Sequence, residues 1–303
     1  MKTDSSIHGI SLSCIAKDDR FLYSADDNGR IAKWDINHLS LLNSIEIPET
    51  LFHSIHCDAD YLYVGSSYLD NKIRVFEKGD LELVKTIKAH TSSVTFIAGI
   101  DDILVSSSAD AVIKKWRKES WDCLGTYESD QNILLCLSLS ANHRLIFAGG
   151  IGAKIEVISL DELNLKTELK GTNASIFSLL NYENRLYSGS GEIWWGGPGS
   201  PRPPEFESAI RIWDTTTWDC LQILEGHTDN INGLAISNHW LASASDDGTL
   251  RIYDTESNTP LICLDIGKIT IKGILSDSEN VFIALRTGSI WKITLDVIRD
   301  LLG

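Results

Sequence analysis

The sequence predicts an all-β fold built from seven consecutive units, each made of four short antiparallel strands. The first observation is a segment of the form apolar-x-x-bulky, followed by an acidic residue in four of seven copies, that recurs at intervals of 42, 40, 42, 55, 40 and 40 residues. Its seven copies begin at Ile31, Ile73, Ile113, Ile155, Ile210, Leu250 and Ile290. The second is length, because 303 residues divided by seven give about 43 per unit, so the repeats use the whole chain. A period of this size indicates units that bury their faces only by stacking on their neighbours.

The sixth unit shows the four strands most clearly. Residues 231–236 alternate apolar with other side chains, residues 240–245 are rich in small residues, and 249–253 and 260–265 supply the third and fourth strands. Asp246-Asp247-Gly248 predicts a tight hairpin between the second and third strands, because Asp-Gly readily adopts the positive φ angles of such turns. The third unit follows the same order of strands and turns.

A histidine precedes the first strand in three units, and each stands 26 residues before the bulky residue of the third strand. The pairs are His8 and Trp34, His90 and Trp116, and His227 and Tyr253. With the period, this spacing resembles the WD-repeat (WD40) β-propeller family, and the resemblance covers essentially the whole chain. It implies a seven-bladed β-propeller of four-stranded antiparallel blades around a central channel.

The resemblance implies one propeller domain over residues 1–303. The blades fall at about 8–47, 48–88, 89–128, 129–170, 171–225, 226–266 and 267–303. The closure of the ring stays open at this point. Propellers of this family often borrow an N-terminal strand for the last blade, but residues 1–7 are short and polar, and residues 295–302 could supply that strand instead.

The family also has a hydrogen-bond network within a blade, which joins the histidine, a Ser or Thr of the second strand, the turn Asp and the third-strand Trp. Carried over to this sequence, the sets are His90, Ser106, Asp110 and Trp116 in blade three, His227, Ser243, Asp247 and Tyr253 in blade six, and His8, Ser24, Asn28 and Trp34 in blade one. Because the sets recur from blade to blade, we interpret them as structural rather than catalytic. Blades four and seven, with Gly152 and Ile158, and Thr287 and Ile293, at these places, are expected to rest on apolar packing alone.

The 55-residue interval places an insertion at residues 191–207, in the hairpin between the second and third strands of blade five. Four of the six prolines lie there, which predicts a stiff loop rather than a strand. Trp194, Trp195 and Phe206 either fold back over the blade edge or anchor a partner, since Trp is enriched at interface hot spots. A polyproline ligand over Pro201–Pro204 is a third interpretation.

In the family, the face that carries the histidine turns is the usual docking surface for partners. The resemblance places one residue of each first strand on this top face, namely Ser13, His53, Thr95, Leu135, Phe177, Asn232 and Lys272. The residue before the turn Asp also faces it, which gives Asp27, Ala109 and Asp246, with Arg286 as the equivalent in blade seven. The surface is apolar around blades four and five and polar elsewhere, which predicts a single docking sector.

Composition narrows the classes of function. The formal net charge of −15 disfavours binding to nucleic acid or membrane; it would steer a basic partner, or simply keep the protein soluble. No apolar run approaches the roughly 20 residues of a membrane span, and the first residues lack the core of a signal peptide. A cytoplasmic protein, monomeric by itself, is therefore expected. The six cysteines form no Cys-x-x-Cys pair and are predicted to be reduced, buried thiols.

No metal and no cofactor are expected. His53 and His56 are three residues apart on a predicted strand, so their side chains should point to opposite faces and cannot easily share one ion. The sequence also has no glycine-rich phosphate loop before a helix.

These observations together predict a non-enzymatic scaffold that binds a protein or peptide on the top face near blades four and five. The predicted contact residues are Trp194, Trp195, Phe206, Phe177, Leu135, His53, Asn232, Lys272 and Asp246. The alternative is an enzyme with a polar site at the mouth of the central channel, using Asp27, Asp246, His53 and Lys272. A phosphopeptide reader using Lys272, Arg286 and Arg202 is a variant of the scaffold.

Overall fold

The computed structural model describes residues 2–4, 12–67, 69–193, 207–237, 239–267 and 269–294. Within these residues the chain forms 28 strands arranged as seven four-stranded antiparallel sheets. Each sheet is one blade of a ring. The predicted all-β, seven-bladed propeller is therefore confirmed.

The strands follow one another blade by blade, with the innermost strand first. The chain begins with β1 (Lys2–Asp4), followed in blade one by β2 (Leu12–Lys17), β3 (Phe21–Asp26), β4 (Arg30–Asp35) and β5 (Leu41–Glu46), and in blade two by β6 (Phe52–Cys57), β7 (Tyr61–Ser66), β8 (Lys72–Glu77) and β9 (Leu83–Lys88). Blade three holds β10 (Val94–Ile100), β11 (Ile103–Ser108), β12 (Val112–Arg117) and β13 (Cys123–Glu128), and blade four holds β14 (Leu134–Ser140), β15 (Leu145–Gly150), β16 (Ile155–Ser159) and β17 (Leu165–Leu169).

Blades five to seven continue the same order. Blade five holds β18 (Ser175–Tyr182), β19 (Arg185–Gly191), β20 (Ile210–Asp214) and β21 (Cys220–Leu224), and blade six holds β22 (Ile231–Ser237), β23 (Trp240–Ser245), β24 (Thr249–Asp254) and β25 (Pro260–Asp265). Blade seven holds β26 (Ile271–Ser276), β27 (Asn280–Leu285) and β28 (Ile290–Thr294), and β1 is its fourth strand.

The N-terminal strand closes the ring. β1 pairs antiparallel with β28, with Lys2 opposite Lys292, Thr3 opposite Trp291 and Asp4 opposite Ile290. The sequence left this closure open because three polar residues can pair through their backbone without any apolar pattern. A buried cluster at the same junction joins Leu12 and Trp34 of blade one to Phe282 and Ile290 of blade seven.

The apolar core lies between the blades rather than within them. Among the described residues, seven clusters of buried side chains each combine residues of two neighbouring blades. Between blades one and two, for example, Tyr23 and Ile31 pack with Phe52 and Phe76. Burying a large apolar side chain stabilises by about 1.5–3 kcal/mol, so stacking of neighbours holds the ring together, as the period predicted.

Lysines at the third position of the recurrent segment tie some neighbouring blades together. In each case the ammonium group donates to two backbone carbonyls of the following blade. Lys33 Nζ lies 2.6 and 3.0 Å from the carbonyl oxygens of Lys78 and Gly79, Lys115 Nζ 2.9 and 2.7 Å from those of Leu160 and Asp161, and Lys292 Nζ 3.2 and 3.3 Å from those of Ile36 and Asn37. The last of these ties crosses the junction at which the ring closes.

Blade three brings its four network residues together. The Nε2 atom of His90 lies 2.8 Å from Ser106 Oγ, and its Nδ1 atom lies 3.3 Å from Asp110 Oδ1. Trp116 Nε1 donates to the same Ser106 Oγ at 2.9 Å. Burial lowers the pKa of His90 to about 4, so the imidazole is neutral at pH 7.

Blade six repeats most of this arrangement. His227 Nε2 lies 2.7 Å from Ser243 Oγ and Nδ1 lies 2.8 Å from Asp247 Oδ2. Burial alone would raise the pKa of Asp247, but hydrogen bonds from His227 and Thr249 hold it well below its usual range. Tyr253 fills the place of the Trp, and its buried hydroxyl lies close to Ser243 and Arg251 but forms no hydrogen bond of normal geometry among the described residues.

In blade one, the turn between the second and third strands is stabilised by Asp26, which the sequence assignment did not include. Trp34 Nε1 donates to Ser24 Oγ at 2.7 Å. Asp26 Oδ1 accepts hydrogen bonds from the backbone N–H groups of Asn28 and Arg30 at 2.8 and 2.9 Å. His8, the histidine of the predicted set, lies outside the described residues.

Blade four corrects the expectation that it rests on apolar packing alone. Its Glu156 is 1% exposed and accepts a hydrogen bond from Ser129 Oγ at 2.7 Å. Lys154 Nζ lies 2.5 Å from Asp130 Oδ1 and also forms an ion pair with Glu168. Charged side chains from separate segments of the blade thus supply polar contacts that the third-strand sequence alone did not reveal.

Blades two and five also use an ion pair where they lack the histidine. Arg74 of β8 pairs with Asp70, and Arg211 of β20 pairs with Glu207. Both arginines directly follow the leading isoleucine of the recurrent segment, at the position that Glu156 occupies in blade four. This position therefore carries a buried charge in the three blades.

Two aromatic substitutions separate the contributions of the third-strand residue in blades three and six. Trp116→Phe removes the donor to Ser106 and is expected to lower the free energy of unfolding by about 1–3 kcal/mol. Tyr253→Phe removes a buried hydroxyl without a hydrogen bond of normal geometry and is expected to leave the free energy of unfolding unchanged or to raise it. Urea denaturation measures both, and a loss in Tyr253→Phe equal to that in Trp116→Phe contradicts the assignment.

Candidate functional site

Every innermost strand carries a β-bulge close to its first residue. In β2, for example, Leu12 pairs with Asp26 and Cys14 with Ala25, which leaves Ser13 between them unpaired. The skipped residues of the seven strands are Ser13, His53, Thr95, Leu135, Phe177, Asn232 and Lys272. These are the seven residues that the family resemblance assigned to the top face. A bulge redirects the side chain of its extra residue, which gives the assignment a structural basis.

The seven bulge residues surround one end of the central channel, and we call this rim the channel mouth. All seven line a cavity of about 560 Å³ enclosed by the innermost strands. Small-molecule and side-chain pockets typically measure about 300–1,000 Å³. Below the mouth the lining combines aliphatic residues, such as Ile55 and Leu139, with polar ones, such as Ser54, His56 and Ser138. The channel is therefore mixed in character both at its rim and in its interior.

Leu135 and Phe177 form the apolar part of the channel mouth. They lie on β14 and β18, which pack side by side as the innermost strands of blades four and five. Both side chains are partly exposed and both line the cavity, as does Phe96. A partly exposed phenylalanine beside a cavity is suited to receive an apolar side chain of a partner.

Asp246 is a carboxylate of blade six that is held beside Asn232, the bulge residue that follows Phe177 around the channel mouth. Its Oδ1 accepts a hydrogen bond from Asn232 Nδ2 at 2.8 Å, and its Oδ2 accepts one from Asn230 Nδ2 at 3.3 Å. Burial raises the pKa of Asp246, while Lys272 lowers it and Asp229 raises it further. Neutral amides thus orient this carboxylate, and its negative charge is only partly compensated.

Asp27, His53 and Lys272 occupy the opposite part of the channel mouth. Ser13 Oγ donates a hydrogen bond to Asp27 Oδ1. His53 is exposed at the rim, and partial desolvation by the surrounding strands lowers its pKa, while Asp27 and Lys272 act on this imidazole in opposite directions. The structure therefore gathers the four polar residues of the enzyme alternative around one opening. Hydrogen bonds donated by Ser and Asn side chains orient the carboxylates of Asp27 and Asp246. Oriented carboxylates are suited to binding a ligand as well as to catalysis.

The first end of the insertion is attached to blade six and, through it, to the channel mouth. The backbone N–H of Glu192 donates to Asn230 Oδ1 at 2.8 Å. The amide nitrogen of the same Asn230 is the donor to Asp246. Asn232 Nδ2 continues the chain of hydrogen bonds to the carbonyl oxygen of Ile271 at 3.2 Å. The base of the insertion and the channel mouth are therefore parts of one hydrogen-bonded unit.

The second end of the insertion is held by blades five and six. Glu207 forms an ion pair with Arg211, and its Oε2 accepts a hydrogen bond from the backbone N–H of Asn173 at 3.1 Å. Ser208 Oγ donates to the carbonyl oxygen of Asp229 at 2.7 Å. Both ends of the insertion are thus fixed near the same side of the ring as the channel mouth.

Some predicted contact residues cannot be related to this geometry. Trp194, Trp195, Phe206 and Arg202 lie outside the described residues, and their roles stay predictions. Arg286 is exposed in blade seven, where its backbone N–H donates to the carbonyl oxygen of Thr270 at 2.9 Å.

An acidic cluster on blade four was not foreseen from the sequence. Carboxylate oxygens of Asp130, Glu156 and Glu168 lie within 4.8 Å of one another. Lys154 Nζ stands among them, 2.5 Å from Asp130 Oδ1 and 3.9 Å from Glu156 Oε1. Burial raises the pKa of Glu156, whereas the contact with Lys154 lowers the pKa of Asp130. The lysine supplies the positive charge that a metal ion would otherwise provide, so we interpret the group as an internal ion cluster.

The cysteines divide into two groups, which corrects the expectation that all are buried. Cys123, Cys220 and Cys263 are exposed on outermost strands, whereas Cys14, Cys57 and Cys136 line the central channel. Burial raises the pKa of Cys57 to about 12 and those of Cys14 and Cys136 further. The channel thiols are therefore protonated and poor nucleophiles at pH 7.

Comparison with protein families matches the WD domain, G-beta repeat, at residues 81–117 and 218–254. Each match begins at or just before the outermost strand of one blade and ends with the third strand of the next, so the sequence repeat is staggered relative to the blade. A search of solved structures gives the computationally designed Ika8 protein, with a TM-score of 0.73 and 21% identity over 93% of this chain and 83% of that chain. This likeness supports the fold alone.

Three curated relatives match large parts of this chain. Nuclear distribution protein PAC1 of Candida glabrata is 24% identical over 82% of this chain and 64% of its own length. Protein transport protein sec13 of Emericella nidulans is 22% identical over 63% of this chain and 72% of its own length. Cell division control protein 4 of Saccharomyces cerevisiae is 23% identical over 65% of this chain and 27% of its own length. The chain therefore spans less than two thirds of PAC1 and about a quarter of the cell division protein.

The described residues contain no helix that is long and apolar enough to cross a membrane.

Proposed function

We propose that this chain, a member of the WD-repeat β-propeller family, is a non-enzymatic interaction scaffold that binds a protein or peptide at the channel mouth near blades four and five. The observation that carries the proposal is the pair Leu135 and Phe177, which borders the 560 Å³ cavity. Apolar groups that flank a cavity in this way favour an apolar ligand group that removes them from water.

The insertion supports the same sector. Its two ends are fixed by hydrogen bonds from Glu192 and Ser208 to blade six. The sequence between these ends contains Trp194, Trp195 and Phe206. Large aromatic side chains dominate the binding energy of many protein interfaces. A partner bound at the channel mouth would therefore lie close to the two ends of the segment that contains these aromatic residues.

The range of relatives also fits an interaction scaffold. Their names refer to nuclear distribution, protein transport and cell division control, which are different processes for one repeat architecture. One fold can serve such different processes when each protein binds a different partner rather than catalysing a common reaction. The net charge of −15 favours a basic partner over nucleic acid or an anionic membrane, and we propose a cytoplasmic protein that is monomeric by itself.

Affinity capture from native extract tests the proposal. Phe177→Ala, and replacement of residues 194–206 by Gly-Ser-Gly, are each expected to reduce the captured partner at least about tenfold, as truncation of a hot spot does. Melting temperatures are expected to stay close to that of the wild type, because Phe177 is partly exposed and the loop ends are retained.

The matched control is Leu42→Ala, which removes a side chain that is 51% exposed on the outer strand of blade one. This variant is expected to capture the partner as the wild type does. Wild-type capture by Phe177→Ala and by the loop replacement together contradicts the proposed binding sector.

A further inference from the structure

We propose that the channel mouth binds a basic side chain of the partner on Asp246, next to an apolar side chain on Leu135 and Phe177. The inference rests on the proposed function and specifies the chemistry of the segment that is bound. The occupant is a peptide segment with Arg or Lys close to an aliphatic or aromatic residue.

The order of residues around the ring brings the two kinds of contact together. β14, β18 and β22 are successive innermost strands and pack side by side. Their bulge residues are Leu135, Phe177 and Asn232, in that order. Asn232 donates directly to Asp246. A segment lying across blades four to six therefore meets an apolar surface first and a carboxylate next.

The hydrogen bonds of Asp246 leave it able to accept a further ligand. A carboxylate offers about four acceptor positions on its two oxygens. Asn232 and Asn230 supply one donor to each oxygen. Both donors are neutral amides, so they orient the carboxylate without cancelling its charge. The side chain is only partly buried and thus remains accessible to a ligand.

The charges around Asp246 favour a cation as the ligand. Lys272 is the strongest charge acting on Asp246 and Asp229 acts less strongly, but two carboxylates and one ammonium group leave a net negative charge at this place. The whole chain carries a net charge of −15, which draws basic segments towards it. A guanidinium or ammonium group at a partly desolvated carboxylate forms a charge-assisted hydrogen bond, which is stronger than a neutral one. A phosphorylated or acidic segment would instead bring like charge to Asp229 and Asp246.

The test starts from a random 12-residue peptide library displayed on phage and selected against the full chain. Selected peptides are expected to carry Arg or Lys within two residues of an aliphatic or aromatic residue. Two of them are then synthesised, each also with citrulline in place of Arg or norleucine in place of Lys. Asp246→Asn is expected to weaken binding of the basic peptides about tenfold to a hundredfold. Glu77→Gln, which removes one exposed acid at the end of β8, is the control with the same change in net charge.

A double-mutant cycle separates a direct contact from a general loss of structure. The neutral peptides should bind the wild type as weakly as the basic peptides bind Asp246→Asn, and Asp246→Asn should not discriminate between the two. Selection of peptides without basic residues, selection of acidic or phosphate-mimicking peptides, failure to select any peptide, or equal binding by Asp246→Asn and wild type each overturns the inference. Should the capture experiment still respond to Phe177→Ala in those cases, the proposed function stands and only the basic subsite is lost.

Discussion

Asp70→Ala is expected to lower the free energy of unfolding by about 3–5 kcal/mol, because it leaves a buried arginine without its counter-charge. Arg74 of blade two is 8% exposed, and its Nη2 lies 2.5 Å from Asp70 Oδ2. Lys72 pairs with the other oxygen of the same carboxylate, and Ser66 Oγ lies 3.3 Å from Oδ2. Removing the carboxylate therefore removes the partner of two cations, one of which cannot reach bulk water.

Two further variants show whether the loss comes from the stranded charge. Asp70→Ala combined with Arg74→Leu removes both ions and is expected to recover most of the stability, since apolar replacement of a buried pair is often neutral. Glu162→Ala breaks an exposed pair with Lys166 and is expected to cost less than about 1 kcal/mol. Urea denaturation at pH 7 compares the three, and a loss in Asp70→Ala no larger than that in Glu162→Ala contradicts the role given to the pair.

The repeat period allowed the fold to be predicted, because each copy of the recurrent segment marks the same third strand. The 55-residue interval likewise located the insertion, whose flanks β19 and β20 are the second and third strands of blade five. Strand identity and order depend on local patterns of apolar and turn residues, and these are visible in one sequence.

The contacts that join distant segments could not be predicted in the same way. β1 pairs with β28 through backbone groups, which carry no sequence signal. Lys33 and Lys115 bind backbone carbonyls of the next blade. Every residue has such a carbonyl, so the sequence does not indicate which ones accept these hydrogen bonds. The cluster around Lys154 draws on Asp130, Glu156 and Glu168, which come together only when the blade folds.

The channel mouth could be predicted from the sequence only in part. The resemblance identified the residues of the first strands, and the bulge at Phe177 or Asn232 explains why that one residue turns towards the channel. The hydrogen bonds from Glu192 through Asn230 to Asp246 were not foreseen, because Asn230 precedes the strand and has no distinguishing pattern. Sequence thus indicated which residues surround the opening, and the structure added how the insertion is attached to it.

Acidification is expected to destabilise the propeller over a pH range set by two buried histidines. Burial lowers the pKa of His56 and of His90 to about 4, whereas an unfolded histidine titrates near 6.5. As pH falls below about 6.5 the unfolded chain binds protons that the folded chain does not, so stability is lost until the folded pKa is reached. The difference of about 2.5 pH units corresponds to at most about 3.4 kcal/mol for each histidine. The free energy of unfolding, measured in urea at several pH values, should therefore be constant above about pH 7 and fall between 6.5 and 4.

His56→Phe assigns part of this loss to one residue. His56 stacks on Tyr63 with ring centroids 5.9 Å apart, and its buried Nε2 has no hydrogen-bond partner among the described residues. Phenylalanine keeps the ring contact and has no titratable nitrogen. Stability at pH 7 is expected to be unchanged or higher, and the loss between pH 6.5 and 4 to become smaller, since one imidazole with a lowered pKa no longer titrates in the unfolded chain. His239→Phe, at a side chain that is 73% exposed, is the matched control. If His56→Phe and wild type lose stability in parallel as the pH falls, the buried imidazole of His56 does not contribute to the pH dependence.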